Sequence, residues 1–217
     1  MAETSTTAAG PRYVRRFTLT ERMLHWVHAS AFFVLLATGL CLYIPALATT
    51  FGDRPLLKDI HFYTAISWAG AILLIIVLGN RRALRATLRE IDLFDRDDCR
   101  FLAGRTHSPQ GRFNAGQKVN FVLVCALFAA LFITGGDTII AGTHHNLIFA
   151  GHKLATIGVC VLVVGHLYMA LVNRGTRPGL RGMLTGEVDR KWAQQHYPRW
   201  EPERSPANKS PLSGSVS

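Results

Sequence analysis

Residues 151–175 read GHKLATIGVCVLVVGHLYMALVNRG, an apolar run that carries a histidine near each end. His152 and His166 are 14 positions apart, which at about 100° per residue brings both imidazoles to nearly the same face of a helix. With a rise of about 1.5 Å per residue they lie roughly 21 Å apart along that helix, near the two rims of a hydrocarbon core about 30 Å thick. We therefore hypothesise that this helix ligates two stacked cofactors.

The apolar residues of this 217-residue chain are concentrated in long runs. They make up 49% of the sequence, and the mean hydropathy is +0.19 despite many arginines. A membrane-spanning helix needs about 20 mostly apolar residues, and four runs come near that length: 24–47, 60–80, 119–142 and 150–172. The sequence predicts an all-α integral membrane four-helix bundle. It forms one domain, 21–175, because no polar segment is long enough to build a separate soluble core.

The basic residues flank the spans and form no recognisable nucleic-acid-binding motif. The formal net charge is +10, and most arginines and lysines fall in or beside the N-terminal segment (1–20), the long loop (81–118) and the C-terminal tail (176–217). The short loop 48–59 is nearly balanced in charge. By the positive-inside rule, both termini and the long loop are cytoplasmic. The small polar residues at the start predict a flexible N-terminal segment, and we expect no nucleic-acid partner.

The cysteines exclude several cofactor sites within this chain. All four stand alone in the sequence, without a C-x-x-C pair: Cys41, Cys99, Cys125 and Cys160. A zinc or iron–sulfur site built from cysteine needs several of them close together, and covalent haem attachment needs C-x-x-C-H. We therefore expect neither site, and we expect the cysteines of the spans to pack as small apolar residues.

The predicted topology pairs the histidines of different spans. His25 lies near the cytoplasmic rim of the first span, and His61 opens the second span at the external rim. The fourth span enters from outside, so it places His152 at the depth of His61 and His166 at the depth of His25. His28 is the competing candidate in the first span, and we expect it to pack or to support a ligand. Ionisable residues inside a span indicate a functional site.

Paired neutral imidazoles favour haem over zinc. Zinc normally takes four protein ligands, and Asp137 is the only acid of the spans near enough to complete such a set. Haem b needs only two axial ligands and an apolar slot. The prediction is therefore two b haems, one on each histidine pair. The remaining histidines are expected to be solvated or locally hydrogen-bonded: His107, His144, His145 and His196. A weaker alternative is that the adjacent His144 and His145 hold a metal on the external side.

Two short segments of the spans are alike. Residues 35–40 read LLATGL and residues 131–136 read LFITGG, which hints at internal repetition. Gly39 and Gly135 offer room beside a haem ring, or equally serve close helix packing. A third pattern lies in the long loop, where Leu84, Leu88 and Ile91 follow helical spacing and predict an amphipathic helix for a membrane surface or a partner.

Several motifs together resemble the cytochrome b (gamma) subunit of respiratory formate dehydrogenase. The resemblance covers roughly residues 15–200. It rests on the segments Arg22-x-x-His25-Trp26, His61, Asn114-Ala115-Gly116-Gln117-Lys118, the pair His152 and His166, and the tail motifs Gly182-Met183, Arg190-Lys191-Trp192 and His196-Tyr197-Pro198-Arg199-Trp200. The resemblance implies that His25 and His166 hold a haem near the cytoplasm and that His61 and His152 hold one near the periplasm, which agrees with the pairing from topology.

The resemblance also implies a quinone site beside the cytoplasmic haem. The matching positions are Asn114, Gly116 and Gln117, with His166 beside the haem. Asn and Gln offer neutral donors to a quinone carbonyl, and glycine lets a ring approach the backbone. The residues alone fit equally well a polar helix start with Asn114 as its N-cap.

The function implied is that of an electron-transfer subunit in the bacterial inner membrane. Electrons would come from an iron–sulfur subunit, which in turn contacts a molybdenum or tungsten catalytic subunit, and would reduce menaquinone or ubiquinone near the cytoplasm. The complex is expected to form a higher oligomer. The formate-oxidising site would lie in another chain. Alternatives are the cytochrome b of a hydrogenase or thiosulfate reductase, or a histidine-lined transporter or metal-handling protein, which would show no b-type absorption band.

Overall fold

The computed structural model describes residues 11–51, 53–140 and 146–201. Its elements in chain order are β1 (Tyr13–Arg15), α1 (Leu19–Tyr43), α2 (Pro45–Phe51), α3 (Arg54–Leu78), α4 (Arg81–Asp92), α5 (Arg96–Leu102), α6 (Ala115–Ile140), α7 (Asn146–Leu167) with a π-helical turn (Tyr168–Val172), a 3-10 turn (Arg177–Gly179), α8 (Leu180–Thr185), β2 (Glu187–Asp189) and α9 (Arg190–His196). Among the described residues, four helices are long and apolar enough to cross a membrane: α1, α3, α6 and α7. The predicted all-α membrane bundle is confirmed.

The first long helix shows how polar and proline signals set the helix ends. Thr18 and Glu21 form a capping box, in which the Thr18 hydroxyl accepts from the backbone N–H of Glu21 and the Glu21 carboxylate accepts from that of Thr18. Such a box satisfies donors that the helix start leaves free, so α1 begins before its apolar run. It ends at Tyr43 rather than at residue 47, because Pro45 lacks a backbone N–H and starts α2 instead.

The long helices pack as two pairs, α1 against α3 and α6 against α7. Phe32 of α1, Phe128 of α6 and Val159 of α7 form a buried cluster at the centre of the bundle, and Trp68 of α3 packs against it. Large apolar side chains on the outer surfaces of all four helices remain exposed. Such surfaces suit contact with lipid hydrocarbon, because the free energy of transferring apolar side chains into the membrane is favourable. The chain is an integral membrane protein.

The two ends of the chain fold together into what we call the terminal cap, formed by β1, β2, α8 and α9. β1 and β2 are antiparallel, and Val14 lies opposite Val188 in their register. These two valines form a small buried core with Trp192, Ala193 and Tyr197 of the C-terminal segment. The cap thus has a hydrophobic core of its own beside the bundle.

A buried arginine joins the terminal cap to the loop before α6. Arg16 is only 4% exposed. Its guanidinium lies 4.0 Å from the centre of the Tyr197 ring and donates to the backbone carbonyl of Arg112 at 2.8 Å. Burial lowers the pKa of the Arg16 guanidinium, while Tyr197 acts in the opposite direction. Cation–π contact and the hydrogen bond compensate part of the cost of burying this charge.

The long loop contains the amphipathic helix that its leucine spacing predicts. That helix is α4, which Asn80 caps by accepting a hydrogen bond from the backbone N–H of Ala83. Ile91 is buried, whereas Leu88 is 52% exposed. The predicted helix is confirmed, and the exposed leucine leaves an apolar spot on its surface.

Gly186 provides a stability test of the terminal cap. It ends α8 with a φ of 90°, and a Cβ at this position would lie 2.8 Å from the carbonyl oxygen of Phe17. Gly104 has a φ of 88°, but no atom of the described segments lies within 4 Å of its Cβ position. A left-handed conformation costs a residue with a side chain about 1–2 kcal/mol. We expect Gly186→Ala to lower the free energy of unfolding by about 3 kcal/mol, because the contact adds to that cost.

The matched variant is Gly104→Ala, which bears only the backbone cost and should lose about 1 kcal/mol. Tryptophan fluorescence of the detergent-solubilised protein reports the unfolding, since Trp192 lies in the core of the terminal cap. Equal losses in the two variants would contradict the predicted contact with Phe17.

Candidate functional site

Two histidine pairs lie at opposite ends of α7. His61, near the start of α3, faces His152, near the start of α7, with ring centres 6.5 Å apart. His25, near the start of α1, faces His166 at the end of α7, with ring centres 6.0 Å apart. Each pair joins α7 to a helix of the other half of the bundle. The structure therefore brings together the four histidines in the pairs that the sequence predicts.

A threonine hydroxyl fixes the ring of His61. Thr38 Oγ1 lies 2.9 Å from His61 Nδ1, and the same hydroxyl donates to the backbone carbonyl of Val34 at 2.8 Å. A threonine inside a helix commonly uses its single hydroxyl proton in such a bond, so we assign Nδ1–H of His61 as the donor to Oγ1. The tautomer that follows leaves the lone pair on Nε2, which is the atom that is free to bind a metal.

The same arrangement recurs at His152. Thr134 Oγ1 lies 3.0 Å from His152 Nδ1 and donates to the backbone carbonyl of Ala130 at 2.7 Å. With the hydroxyl proton in that bond, we assign Nδ1–H of His152 as the donor to Oγ1, so His152 also presents Nε2 as the free ring nitrogen. The two ligand candidates of this pair are therefore oriented by equivalent threonines on α1 and α6.

Glycines follow both threonines and lie against the paired rings. A Cβ at Gly39 would lie 3.4 Å from Cε1 of His61, and a Cβ at Gly135 would lie 3.5 Å from Cε1 of His152. Each glycine leaves free, beside an imidazole edge, the space that a side chain would occupy. These distances show that the glycines lie against histidine rings of neighbouring helices; room beside a haem ring and close helix packing both stay predictions.

The His25/His166 pair is held in a different way. The Trp26 ring meets the His25 ring edge-on, with centres 5.2 Å apart. Trp26 Nε1 donates to the backbone carbonyl of Met183 at 3.0 Å, and Arg22 Nε donates to the same carbonyl at 3.1 Å. The Arg-x-x-His-Trp segment therefore attaches the start of α1 to α8 of the terminal cap.

The spacing of both pairs fits one metal between two imidazoles. An imidazole–metal bond is about 2 Å long, so two rings on opposite sides of one iron have centres roughly 6 Å apart. The observed separations of 6.0 Å and 6.5 Å agree with that value. No group of three or more histidine, cysteine or acidic side chains that could hold a metal ion occurs in the described part of the chain. The geometry suits a cofactor that needs two axial ligands.

His28 packs in the centre of the bundle. Its ring lies 4.3 Å from the Phe128 ring and 5.4 Å from the Trp68 ring, measured between centres. The ring that faces His166 is that of His25. Of the two roles expected for His28, the structure shows the packing role.

The segment before the third long helix forms a helix cap. Asn114 Oδ1 accepts from the backbone N–H of Gln117 at 2.9 Å, and Gln117 Oε1 accepts from that of Asn114 at 3.1 Å. Gln117 Nε2 also donates to the hydroxyl of Tyr197 at 3.3 Å. Gly116 and Gln117 are exposed. The N-cap function of Asn114 is therefore present, and the reciprocal bonds leave the Asn114 amide N–H₂ available.

The remaining histidines have local contacts where the structure describes them. His107 Nδ1 lies 3.3 Å from Thr106 Oγ1. The His196 ring stacks on Trp192, with centres 4.8 Å apart. His144 and His145 lie outside the described residues, so the possible external metal site is not described.

The match to a protein family covers most of the chain. The family of prokaryotic cytochrome b561 matches residues 16–186, which include both histidine pairs. The chain belongs to the prokaryotic cytochrome b561 family. Membership of this b561 family implies haem b as cofactor, and the ring spacing within both histidine pairs fits its two-ligand requirement.

Curated relatives of this b561 family member are cytochrome b556 subunits. The chain is 25% identical over 225 residues to the cytochrome b556(Fdn) subunit of the nitrate-inducible formate dehydrogenase of Escherichia coli K12, covering 94% of this chain and 98% of that protein. It is 25% identical over 198 residues to the cytochrome b556(fdo) subunit of an E. coli K12 formate dehydrogenase, covering 85% and 90%. The formate dehydrogenase cytochrome b556 subunit of Haemophilus influenzae is 24% identical over 201 residues, covering 82% and 78%.

Sequence reasoning on this cytochrome b561 family chain missed the threonines. Thr38 and Thr134 belong to the two similar segments LLATGL and LFITGG, in which the glycines that follow them are the predicted haem or packing contacts. The signal was the repeat itself, since a threonine in the same place of both segments lies one residue before the glycine at the imidazole edge. A histidine that ligates a metal commonly donates its second ring N–H to a nearby oxygen, and a hydroxyl one position from a predicted haem contact can supply that oxygen.

Proposed function

We propose that this chain is the membrane-anchor cytochrome b subunit of a formate dehydrogenase complex. The observation that carries the proposal is α7, whose two histidines are each paired ring to ring with a histidine from another long helix. The names of the curated relatives support the assignment to formate dehydrogenase. In such a complex the formate-oxidising site belongs to another subunit.

Two haem b groups are held by the histidine pairs. His61 and His152 ligate the haem nearer the periplasm, and His25 and His166 ligate the haem nearer the cytoplasm. Bound haem supplies one-electron transfer, and two haems at the ends of one helix provide a path across the membrane. Thr38 holds His61, and Thr134 holds His152, in the tautomer that presents Nε2 to the haem iron.

The orientation follows from the basic segments. The N-terminal segment, the loop 81–118 and the tail 176–217 lie in the cytoplasm of a bacterium, and residues 21–175 span its inner membrane. The terminal cap, which joins the N-terminal strand to the tail, then lies on the cytoplasmic side with the His25/His166 pair. The His61/His152 pair faces the periplasm.

A quinone, menaquinone or ubiquinone, is reduced beside the cytoplasmic pair. Asn114, Gly116, Gln117 and His166 form its site. The exposure of Gly116 and Gln117 supports access, and Asn114 keeps an amide N–H₂ that can donate to a quinone carbonyl. Tyr197 holds the Gln117 amide from the terminal cap. Protons for the reduced quinone come from the cytoplasmic side.

The partners are the other subunits of the complex. An iron–sulfur subunit on the periplasmic side delivers electrons to the His61/His152 site, and a catalytic subunit with molybdenum or tungsten oxidises formate. The complex assembles into a higher oligomer in the membrane. The exposed apolar faces of the long helices provide surface for lipid and for neighbouring subunits.

Purification of the complex through a tag on this chain tests the proposal. The purified complex should reduce a soluble quinone analogue with formate as donor and not with hydrogen, and should not reduce thiosulfate. Gln117→Ala should raise KM for the quinone about tenfold while both haem bands persist, since one polar contact contributes about 1–1.5 kcal/mol.

Gln117→Glu serves as the matched variant because it keeps the oxygen that caps Asn114 but removes the amide N–H₂. If the Gln117 amide N–H₂ donates to the quinone, Gln117→Glu should raise KM for the quinone as much as Gln117→Ala does. Activity with hydrogen instead of formate would contradict the assignment. An unchanged KM in both variants would remove Gln117 from the quinone site.

A further inference from the structure

The two histidine pairs differ in how their Nδ1 atoms are bonded. Nδ1 of His61 and Nδ1 of His152 each lie at hydrogen-bonding distance from a threonine hydroxyl, 2.9 Å and 3.0 Å, and in the tautomer assigned above each Nδ1–H donates to that hydroxyl. Within the described residues, neither His25 nor His166 has a hydrogen-bonding side chain or carbonyl as partner, and their ring contacts are aromatic. Among the described residues, hydrogen bonds to the rings are therefore found at the His61/His152 pair and not at the His25/His166 pair.

A hydrogen bond from Nδ1–H strengthens an imidazole as a metal ligand. The acceptor attracts the Nδ1 proton, which leaves more electron density on the imidazole ring. Nε2 therefore becomes a stronger electron donor to the metal. A more strongly donating ligand favours the oxidised iron over the reduced iron and lowers the reduction potential. The hydroxyls of Thr38 and Thr134 are themselves polarised by the bonds that they donate to backbone carbonyls, and such chains strengthen each member.

Helix packing alone does not account for these threonines. Threonine within a helix commonly donates back to the carbonyl four residues before it, and that bond by itself carries no function. Here the acceptor side of each hydroxyl also meets a histidine Nδ1, and a glycine follows at the edge of the same ring. The arrangement occurs once on α1 and once on α6, for the two members of a single pair.

We propose that Thr38 and Thr134 are positioning residues that lower the potential of the haem at the His61/His152 site below that of the haem at the His25/His166 site. The inference rests on the proposed function, in which both pairs hold haem. With haem bound at both sites, this order of potentials would favour electron transfer from the His61/His152 site to the His25/His166 site, which lies nearer the proposed quinone site. The hydrogen bonds to His61 and His152 would thus set the direction of electron transfer between the two sites.

Redox titration of the two haem bands in the purified complex tests this inference. Thr38→Val and Thr134→Val remove the hydroxyl but keep the branched shape of the side chain. Each should raise the midpoint potential of the haem at the His61/His152 site, and the double variant should raise it further. The midpoint potential of the other haem should stay unchanged. Thr38→Ser, which keeps a hydroxyl, should restore the wild-type value.

Thr156→Val is the control within the same region. Thr156 Oγ1 donates to the backbone carbonyl of His152 at 2.9 Å and not to its ring, so its removal should leave both midpoint potentials unchanged. The band that belongs to the His61/His152 site is assigned as the one lost in His61→Ala. That assignment tests the proposed haem ligation separately from the threonines.

Two titration results would overturn the inference. In one, the Thr38→Val/Thr134→Val double variant titrates with the wild-type potentials of both haems. In the other, both haems shift equally, which would indicate a general change in the bundle. If His61→Ala instead kept both bands, the proposed ligation would be wrong, and the inference, which depends on that ligation, would be overturned with it.

Discussion

Alanine at His152 is expected to abolish one of two haem b bands, and alanine at His166 is expected to abolish the other. Each histidine faces a single partner ring, His61 or His25, at a separation that fits one iron. Haem b has no covalent link to this chain, so loss of an axial imidazole removes a main part of its attachment. The measurement is the reduced-minus-oxidised spectrum of the purified variant, together with its haem content per chain.

Partner and control variants make this expectation specific. His61→Ala should lose the same band as His152→Ala, and His25→Ala the same band as His166→Ala. His28→Ala should keep both bands, because the His28 ring packs on Phe128. The pairing would be wrong if His152→Ala and His25→Ala lost the same band.

The second large effect is expected from the buried ion pair between α5 and the start of α6. Lys118 Nζ donates to Asp98 Oδ2 at 2.7 Å, and the two side chains are 7% and 1% exposed. Lys118 Nζ also donates to the carbonyl of Leu93 at 2.7 Å. Removing one partner of a buried pair leaves an uncompensated charge and costs about 3–5 kcal/mol. Asp98→Ala should lower the free energy of unfolding by about that amount.

Two further variants separate this charge effect from a general loss of packing. The double variant Asp98→Ala/Lys118→Met leaves neither charge of this pair, so it should cost less than Asp98→Ala alone. Arg100→Ala removes an exposed pair with Asp97, in which Arg100 is 55% exposed, and should cost less than about 1 kcal/mol. Chemical unfolding in detergent, followed by fluorescence, measures all three. A double variant less stable than Asp98→Ala would contradict the account of this pair.

The membrane bundle could be predicted from the sequence because its signals are local. Apolar runs of the right length predict α1, α3, α6 and α7, and the charge of the connecting segments predicts their direction. With direction fixed, helical geometry places His152 and His166 at different depths. The pairing of each with one other histidine then requires no knowledge of side-chain packing.

The terminal cap could not be predicted in the same way. Its strands are three residues each, and β1 pairs with β2 across almost the whole chain. Arg16 reads as one more basic residue of a cytoplasmic tail, yet it is buried against Tyr197. Such contacts depend on tertiary structure, and neither periodicity nor composition indicates them.

Some residues of the candidate site could be predicted from the sequence, and others could be recognised only from the tertiary structure. The histidines are rare ionisable residues inside apolar runs, so they are visible in the sequence. Thr38 and Thr134 are common residues of membrane helices; their place in the repeated segments LLATGL and LFITGG is the only hint in the sequence, and their distances to the Nδ1 atoms identify them as partners of the histidines. At Asn114 and Gln117 the sequence allowed a helix cap and a quinone contact, and the structure shows the cap.

The number of haem b groups per polypeptide decides whether both histidine pairs bind haem. The complex is purified through a tag on this chain, its haem is extracted and measured as the pyridine complex, and this chain is quantified by amino-acid analysis. Two histidine pairs with the spacing of axial ligands predict two haem b per chain. A value of one, or the absence of haem b, would contradict the account.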